Sequence, residues 1–170
     1  MSLKNSARKL YNDTFGISKE FDDRLFDLFF DNCRYITEGG AVISMLFELP
    51  LTLVTDDGPT DACYIYACAT HPSHRGKGYM GRLIEETCKA HGLVILRPAE
   101  ESLIRFYSKL GFIKAQAVSR EGAPTPYIEA NSDLKALCAD ETPEGEGFCI
   151  MYKGDGFNPK STLGFAYSMP

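Results

Sequence analysis

The stretch THPSHRGKGYMG, residues 70–81, decides how this chain is read. It stands between CYIYACA (63–69), which reads as a strand, and RLIEETC (82–88), whose apolar residues recur at helical spacing. A strand that hands over to a helix through a glycine-rich, cationic loop makes an anion site. The first N–H groups of a helix have no intrahelical acceptor, and the helix dipole places about half a positive charge there. Gly76 and Gly78 admit a ligand close to the backbone, and Arg75 and Lys77 add cations; together these suit a pyrophosphate. Two named phosphate loops do not fit. There is no G-x-x-x-x-G-K-S/T. The letters GKGYMG (76–81) match G-x-G-x-x-G, but HPSHR separates them from the strand. The plainer reading is a glycine-rich turn with solvated charges, and the local sequence leaves both readings open.

Working outward, Met80, Leu83, Ile84, Thr87 and Cys88 form one apolar face of a helix, with Arg82, Glu85, Glu86 and Lys89 opposite and Gly92 as its stop. LVIL (93–96) is a short buried strand, EESLIRFYSKL (100–110) a second amphipathic helix, and FIKAQAV (112–118) a further strand. Upstream, ACYIYACAT (62–70) is apolar on both alternating faces, as a covered central strand is. AVISMLFELPLTLV (41–54) reads as a long strand with Pro50 marking a bend or an edge, joined to the next by TDDGPTD (55–61). Residues 4–14 read as a short helix, and GISKEFDDRLFDLFFDNC (16–33) as a clearer one capped by Ser18. EGG (38–40) is a turn. Residues 119–147 read as an extended connection with a helical piece at NSDLKALCAD; FCIMYK (148–153) and TLGFAYSMP (162–170) close the chain as strands. Alternating strands and helices in the middle of the chain are the α/β pattern.

At 170 residues, 44% hydrophobic and 24% charged, the chain reads as one soluble domain over 1–170. A net charge of −5 argues against a nucleic-acid footprint. No apolar run reaches the roughly 20 residues of a membrane span, and MSLKNSARKL lacks a signal-peptide core. The six cysteines contain no C-x-x-C pair and sit mostly in apolar segments, so they read as reduced thiols of a cytoplasmic protein. Neither they nor His71, His74 and His91 show ligand spacing, so no metal is expected.

HPSHRGKGYMGRLIEE (71–86) resembles the acetyl-CoA signature of the GCN5-related N-acetyltransferase (GNAT) family, Q/R-x-x-G-x-G/A. Arg75 takes the first position and Gly78 the fourth; the sixth is Met80, a departure, with Gly81 one later. EESLIRFYSKLGF (100–112) is similar to the family's second signature, with Tyr107, Gly111 and Phe112 matching and Glu100 standing where an asparagine is frequent.

The resemblance implies a mixed, mostly antiparallel α/β sheet with a strand splay, flanked by helices on both faces. It implies acetyl-CoA as co-substrate. The backbone of Arg75, Gly76, Lys77, Gly78, Tyr79 and Met80 would hold the diphosphate; that of Cys68, Ala69 and Thr70 would meet the pantetheine and the thioester carbonyl. A primary amine of a small molecule or peptide would attack directly in a ternary complex, with no acyl-enzyme. Tyr107 is the family-matched donor to the departing thiolate and a cofactor contact; its stripe with Leu103 and Leu110 also suits a core aromatic. An alkylammonium must lose a proton first. Glu48, an acid inside MLFELPL, is the candidate base if buried, and a solvent-facing edge residue otherwise. The carboxylate of Pro170 is a further candidate if the tail folds back. Tyr64 and Tyr66 line either the acceptor cleft or the core. The family reading leaves room for a homodimer. A non-catalytic acyl-CoA sensor keeps the loop without the chemistry; a kinase-type module would need an acidic metal motif that the sequence does not supply.

Overall fold

Two serines open the first helices. Ser2 accepts a hydrogen bond from the Asn5 amide at 3.2 Å and starts α1 (Leu3–Phe15), which Gly16 ends at φ +61. Ser18 accepts from the Phe21 amide and starts α2 (Lys19–Phe29) with Glu20 and Asp22 in its first turn. The expected helix through Cys33 stops at Phe29. A single 3₁₀ turn, Phe30–Asn32, then delivers Cys33 into β1 (Cys33–Glu38), a strand the apolar pattern did not announce. Gly39 and Gly40, at φ +58 and +79, make the two-residue turn into β2 (Ala41–Thr55). β3 (Gly58–Thr70), α3 (Tyr79–Ala90), β4 (Leu93–Leu96), α4 (Glu101–Lys109) and β5 (Ile113–Ser119) follow. Then come β6 (Tyr127–Ala130), α5 (Ser132–Leu137), β7 (Phe148–Gly154) and β8 (Leu163–Phe165). This computed structural model describes residues 1–16, 18–119, 125–138, 148–155 and 163–165. The architecture is mixed α/β with a mostly antiparallel sheet, as expected.

The chain folds as two compact units. The first comprises residues 1–49 and 65–87. In it β1 runs antiparallel to β2, from Cys33 opposite Phe47 to Glu38 opposite Ala41, with an irregularity at Ile36/Thr37. Residues 42–47 of β2 are all buried, so both of its faces are covered. Phe26 is the hub of the core: its ring meets Phe47 edge-on at 5.3 Å and Tyr11 at 5.6 Å. Ser6, buried on α1, accepts the Val42 amide at 2.8 Å.

The second unit comprises residues 50–64 and 88–170. All four residues of β4 are buried, and β4 pairs antiparallel with β7, Leu93 opposite Gly154 and Leu96 opposite Met151. β7 pairs on its other edge with β5, and β8 runs parallel to both β5 and β6. The connection after Ser119 is more regular than expected. β6 pairs antiparallel with residues 51–54 of β2, and Asn131 caps α5 by accepting from the Leu134 amide at 2.8 Å. Pro50, which has no N–H, falls between the last β1 register pair of β2, at Phe47, and the first β6 pair, at Leu51. Gly154, at φ +126, packs so closely on the Gly92 carbonyl that a Cβ there would stand 1.9 Å from its oxygen. Lys153 donates to the Leu110 carbonyl at 2.7 Å, satisfying the C-terminal end of α4.

Candidate functional site

The candidate anion site lies within the first unit, where the end of β3 runs into α3. Two bonds hold the strand end. Thr70 shares a 2.8 Å hydrogen bond with the fully buried Ser44 hydroxyl, and the His71 amide donates to the Ile43 carbonyl at 2.8 Å. Pro72–His74 forms a 3₁₀ turn. His71 Nδ1 lies 2.8 Å from Ser73 Oγ, which lies 2.9 Å from His74 Nδ1, and His74 Nε2 donates to Glu38 Oε2 at 2.7 Å. That chain ties the loop to the end of β1. The His74 hydrogen bond, then its charge, holds the Glu38 carboxyl below the ordinary glutamate range. Arg75 folds back so that its Nε donates to the Thr70 carbonyl at 3.1 Å.

Gly76 and Gly78 then take φ values of +75 and +82, which any L side chain resists, and nothing lies within 4 Å of where a Cβ would stand on either. The first α3 ladder bond from this end runs from the Arg82 amide to the Gly78 carbonyl at 3.0 Å. The amides of Tyr79, Met80 and Gly81 therefore precede the helical ladder. Arg75 and Lys77 are exposed, and no acid occurs in residues 75–81. Successive N–H groups, a helix N-terminus, open space beside two glycines and two cations form a donor set that fits a diphosphate.

Ala67 carries no signal in the sequence. It sits in the middle of β3 at φ +54, the one positive-φ non-glycine among the described residues. Left-handed backbone costs an L residue about 1–2 kcal/mol, and such a residue turns backbone groups out of a strand's ladder. It immediately precedes Cys68, Ala69 and Thr70, the segment expected to meet pantetheine. A glycine would have signalled the kink; alanine in a run of small residues does not.

Glu48 is largely buried within the first unit, at 14% side-chain exposure. Its Oε1 accepts from Arg34 Nε at 2.7 Å and from Thr87 Oγ1 at 2.6 Å, and Arg34 also reaches Glu86 Oε2 at 3.7 Å. The carboxylate thus links β1, β2 and the C-terminal half of α3. Burial first, and Glu48's charge second, push the neighbouring Cys33 thiol up to about 12, which keeps it protonated. Tyr66, half-buried, has its hydroxyl 3.3 Å from that of Tyr11 and its ring against Phe21.

In the second unit Tyr107 is buried, with its ring against Phe106 and Phe112. Its carbonyl accepts from the amides of Leu110 and Phe112 at the end of α4. Glu100, the N-cap of α4, makes no side-chain capping bond. Tyr64 is core, 2% exposed. Among the described residues no group of three or more His, Cys, Asp or Glu side chains could hold a metal, and no helix is long and apolar enough to cross a membrane. Pro170 lies outside the described residues, as do residues 139–147 of the expected connection.

Three solved structures illustrate the fold likeness. Arabidopsis thaliana Naa50, in complex with the bisubstrate analogue CoA-Ac-MVNAL, superposes with a TM-score of 0.54 at 12% identity, covering 89% of this chain and 91% of that one. An acetyltransferase of the GNAT family from Desulfovibrio desulfuricans gives 0.56 at 14% identity, with the same coverages. A GCN5-related N-acetyltransferase from Kribbella flavida gives 0.54 at 14% identity over 67% of this chain. This chain spans only about a third of that protein's length, 32%. No curated protein matches the chain. The family profile described as Acetyltransferase (GNAT) domain matches residues 4–115, well over half of the sequence. The chain belongs to the GNAT acetyltransferase family.

Proposed function

We propose that residues 1–170 act as one cytoplasmic N-acetyltransferase domain. It moves the acetyl group of acetyl-CoA to a primary amine of a small molecule or peptide by direct attack in a ternary complex. The observation that carries this reading is the pair of positive-φ glycines, Gly76 and Gly78, placed just ahead of the helical ladder of α3. The Arg75 amide, expected among the diphosphate donors, instead closes the 3₁₀ turn by donating to the Pro72 carbonyl at 3.3 Å; the amides from Gly76 to Met80 bind the diphosphate, with the Arg75 and Lys77 side chains as counter-charges. The backbone of Cys68, Ala69 and Thr70, re-aimed by Ala67, holds the pantetheine and polarises the thioester carbonyl.

The amine must arrive at the carbonyl unprotonated. Glu48 is the candidate base that takes its proton. The new C–N bond forms as the C–S bond breaks, and the electron pair leaves on sulfur. Tyr107 donates a hydrogen bond or proton to that thiolate. Full transfer from a phenol near pKa 10 to a thiolate near 8.5 is uphill by about 2 kcal/mol, so hydrogen bonding is the larger part of its role. The bisubstrate analogue carried by the Arabidopsis protein supports keeping a peptide amine among the acceptors. A second reading, a non-catalytic acyl-CoA sensor, draws on Met80 in the signature and on the uncapped Glu100.

Calorimetry with coenzyme A, followed by acetyl transfer to a panel of amines by wild type and Tyr107→Phe, tests the reading. Binding with turnover that falls in the variant supports the enzyme. Binding with no amine acetylated establishes the sensor, and no binding removes both.

A further inference from the structure

The hydrogens of the relay from His71 to Glu38 can be placed one by one. The Ser73 amide donates to His71 Nδ1 at 3.4 Å, so that nitrogen is an acceptor and carries no hydrogen. The Ser73 hydroxyl, 2.8 Å from the same nitrogen, directs its single hydrogen there. Ser73 Oγ then has only lone pairs to offer His74 Nδ1 at 2.9 Å, and that nitrogen must carry N–H. His74 Nε2 lies 2.7 Å from Glu38 Oε2, an oxygen of a carboxyl held below the ordinary glutamate range and so ionised at neutral pH. Both ring nitrogens of His74 are therefore donors, which only an imidazolium provides. A neutral ring gives up one of the four contacts.

His74 stands two residues ahead of Gly76, where the donor amides begin, and its side chain is 15% exposed. Its own amide donates to the His71 carbonyl at 2.8 Å, and the Arg75 amide to the Pro72 carbonyl at 3.3 Å, so the turn is closed on itself. Glu38 belongs to β1, so the His74 side chain fastens that closed turn to a strand. Three elements surround the imidazole. β1 supplies Glu38. The loop supplies the His71 ring, 5.6 Å away between centroids, and the cations Arg75, whose Nε is turned to the Thr70 carbonyl, and Lys77, whose charge also lowers the Glu38 carboxyl. α3 supplies the Tyr79 ring at 6.2 Å. Histidine is the side chain whose charge ordinarily changes between about pH 5 and 8, so a titration of this cluster in that range belongs to His71 or His74.

We propose that His74, as an imidazolium held between Ser73 and Glu38, is a positioning residue that fastens the diphosphate loop to β1, so that the coenzyme binds more weakly once His74 loses its proton. This rests on the acyl-transfer reading, which supplies the coenzyme. Loss of the proton removes a bond from the relay and a positive charge from the neighbourhood of an anion, and both act in the same direction.

The experiment is calorimetry on the full chain with dephospho-coenzyme A, from about pH 5.5 to about pH 8. This probe keeps the diphosphate and lacks the 3′-phosphate monoester, a group that itself titrates near pH 6. Wild type should bind about threefold or more tighter at the acid end, the worth of one partly exposed ion pair. His74→Gln keeps a donor toward Glu38 and carries no charge, so it should bind at every pH as wild type does at the alkaline end. His91→Gln, outside the loop, should follow wild type. Glu38→Gln should move the wild-type step to lower pH, because the imidazolium loses its carboxylate. A wild-type profile without a step, or a step kept by His74→Gln, overturns the proposal and leaves the acyl-transfer reading in place. If His74→Gln does not fold, Glu38→Gln decides, and an unmoved step overturns the proposal. No binding at any pH removes the acyl-transfer reading, and this proposal with it.

Discussion

Arg34 on β1 donates from Nε to Glu48 Oε1 on β2 at 2.7 Å, and the Thr87 hydroxyl donates to the same oxygen from α3. The acid proposed as the base is thus also a strut between two strands and a helix. Glu48→Gln separates the two roles, because it keeps the shape and removes the charge. We expect kcat to fall by about 10²–10⁴, the range for loss of a general base, with coenzyme A affinity retained. Arg34 would keep Glu86 as a partner, but Glu48 is largely buried, so the loss of stability should be about 1–3 kcal/mol. Steady-state kinetics beside thermal unfolding reads both, and an intact kcat with a lowered Tm leaves Glu48 as a strut alone.

Gly78→Val tests the loop. At φ +82 the variant meets backbone strain of about 1–3 kcal/mol. Its Cβ branch would also occupy the open space beside the amides. Coenzyme A affinity should fall by about tenfold or more, since one lost charge-assisted contact is worth that much. Equal affinity by calorimetry would place the diphosphate elsewhere.

Cys33 should resist alkylation. With its thiol pushed up to about 12, about one part in ten thousand is thiolate at pH 8. Peptide mapping after iodoacetamide treatment of native protein should find Cys33 unmodified, and denaturation should expose it. Rapid native labelling of Cys33 would contradict its burial.

The Glu38–His74 contact sets an acid-side dependence. A carboxyl depressed in the fold contributes stability above its unfolded pKa, about 4.3, and that contribution is lost as pH falls through the lower folded value. The difference in unfolding midpoint between wild type and Glu38→Gln should therefore close as pH drops below about 4. A gap that stays constant through the acid limb would show that the contact adds nothing.

Local chemistry carried much of the design. Ser18 as a cap, the glycine-rich turn into α3, the amphipathic faces of α3 and α4, and the short buried strand Leu93–Leu96 were readable because each is written in nearest-neighbour terms: a side-chain acceptor, a missing Cβ, a period. Cys33–Glu38 was not. RYITE carries no clear alternation, and it is a strand because the apolar β2 offers it an antiparallel edge two glycines away. β6 owes its existence in the same way to the stretch of β2 beyond Pro50.

The site divides along the same line. The loop amides follow from order along the chain, since a strand, two glycines and a helix in succession leave N–H groups without acceptors. Three features needed the fold: the left-handed turn at Ala67, the capture of Glu48 by Arg34 and Thr87, and the approach of the buried Tyr11 hydroxyl to that of Tyr66. The last two depend on groups 14 to 55 positions apart in sequence, and the first is a backbone conformation that alanine does not announce. Burial and hydrogen-bond partnership are properties of what surrounds a residue, and only tertiary packing brings those surroundings together.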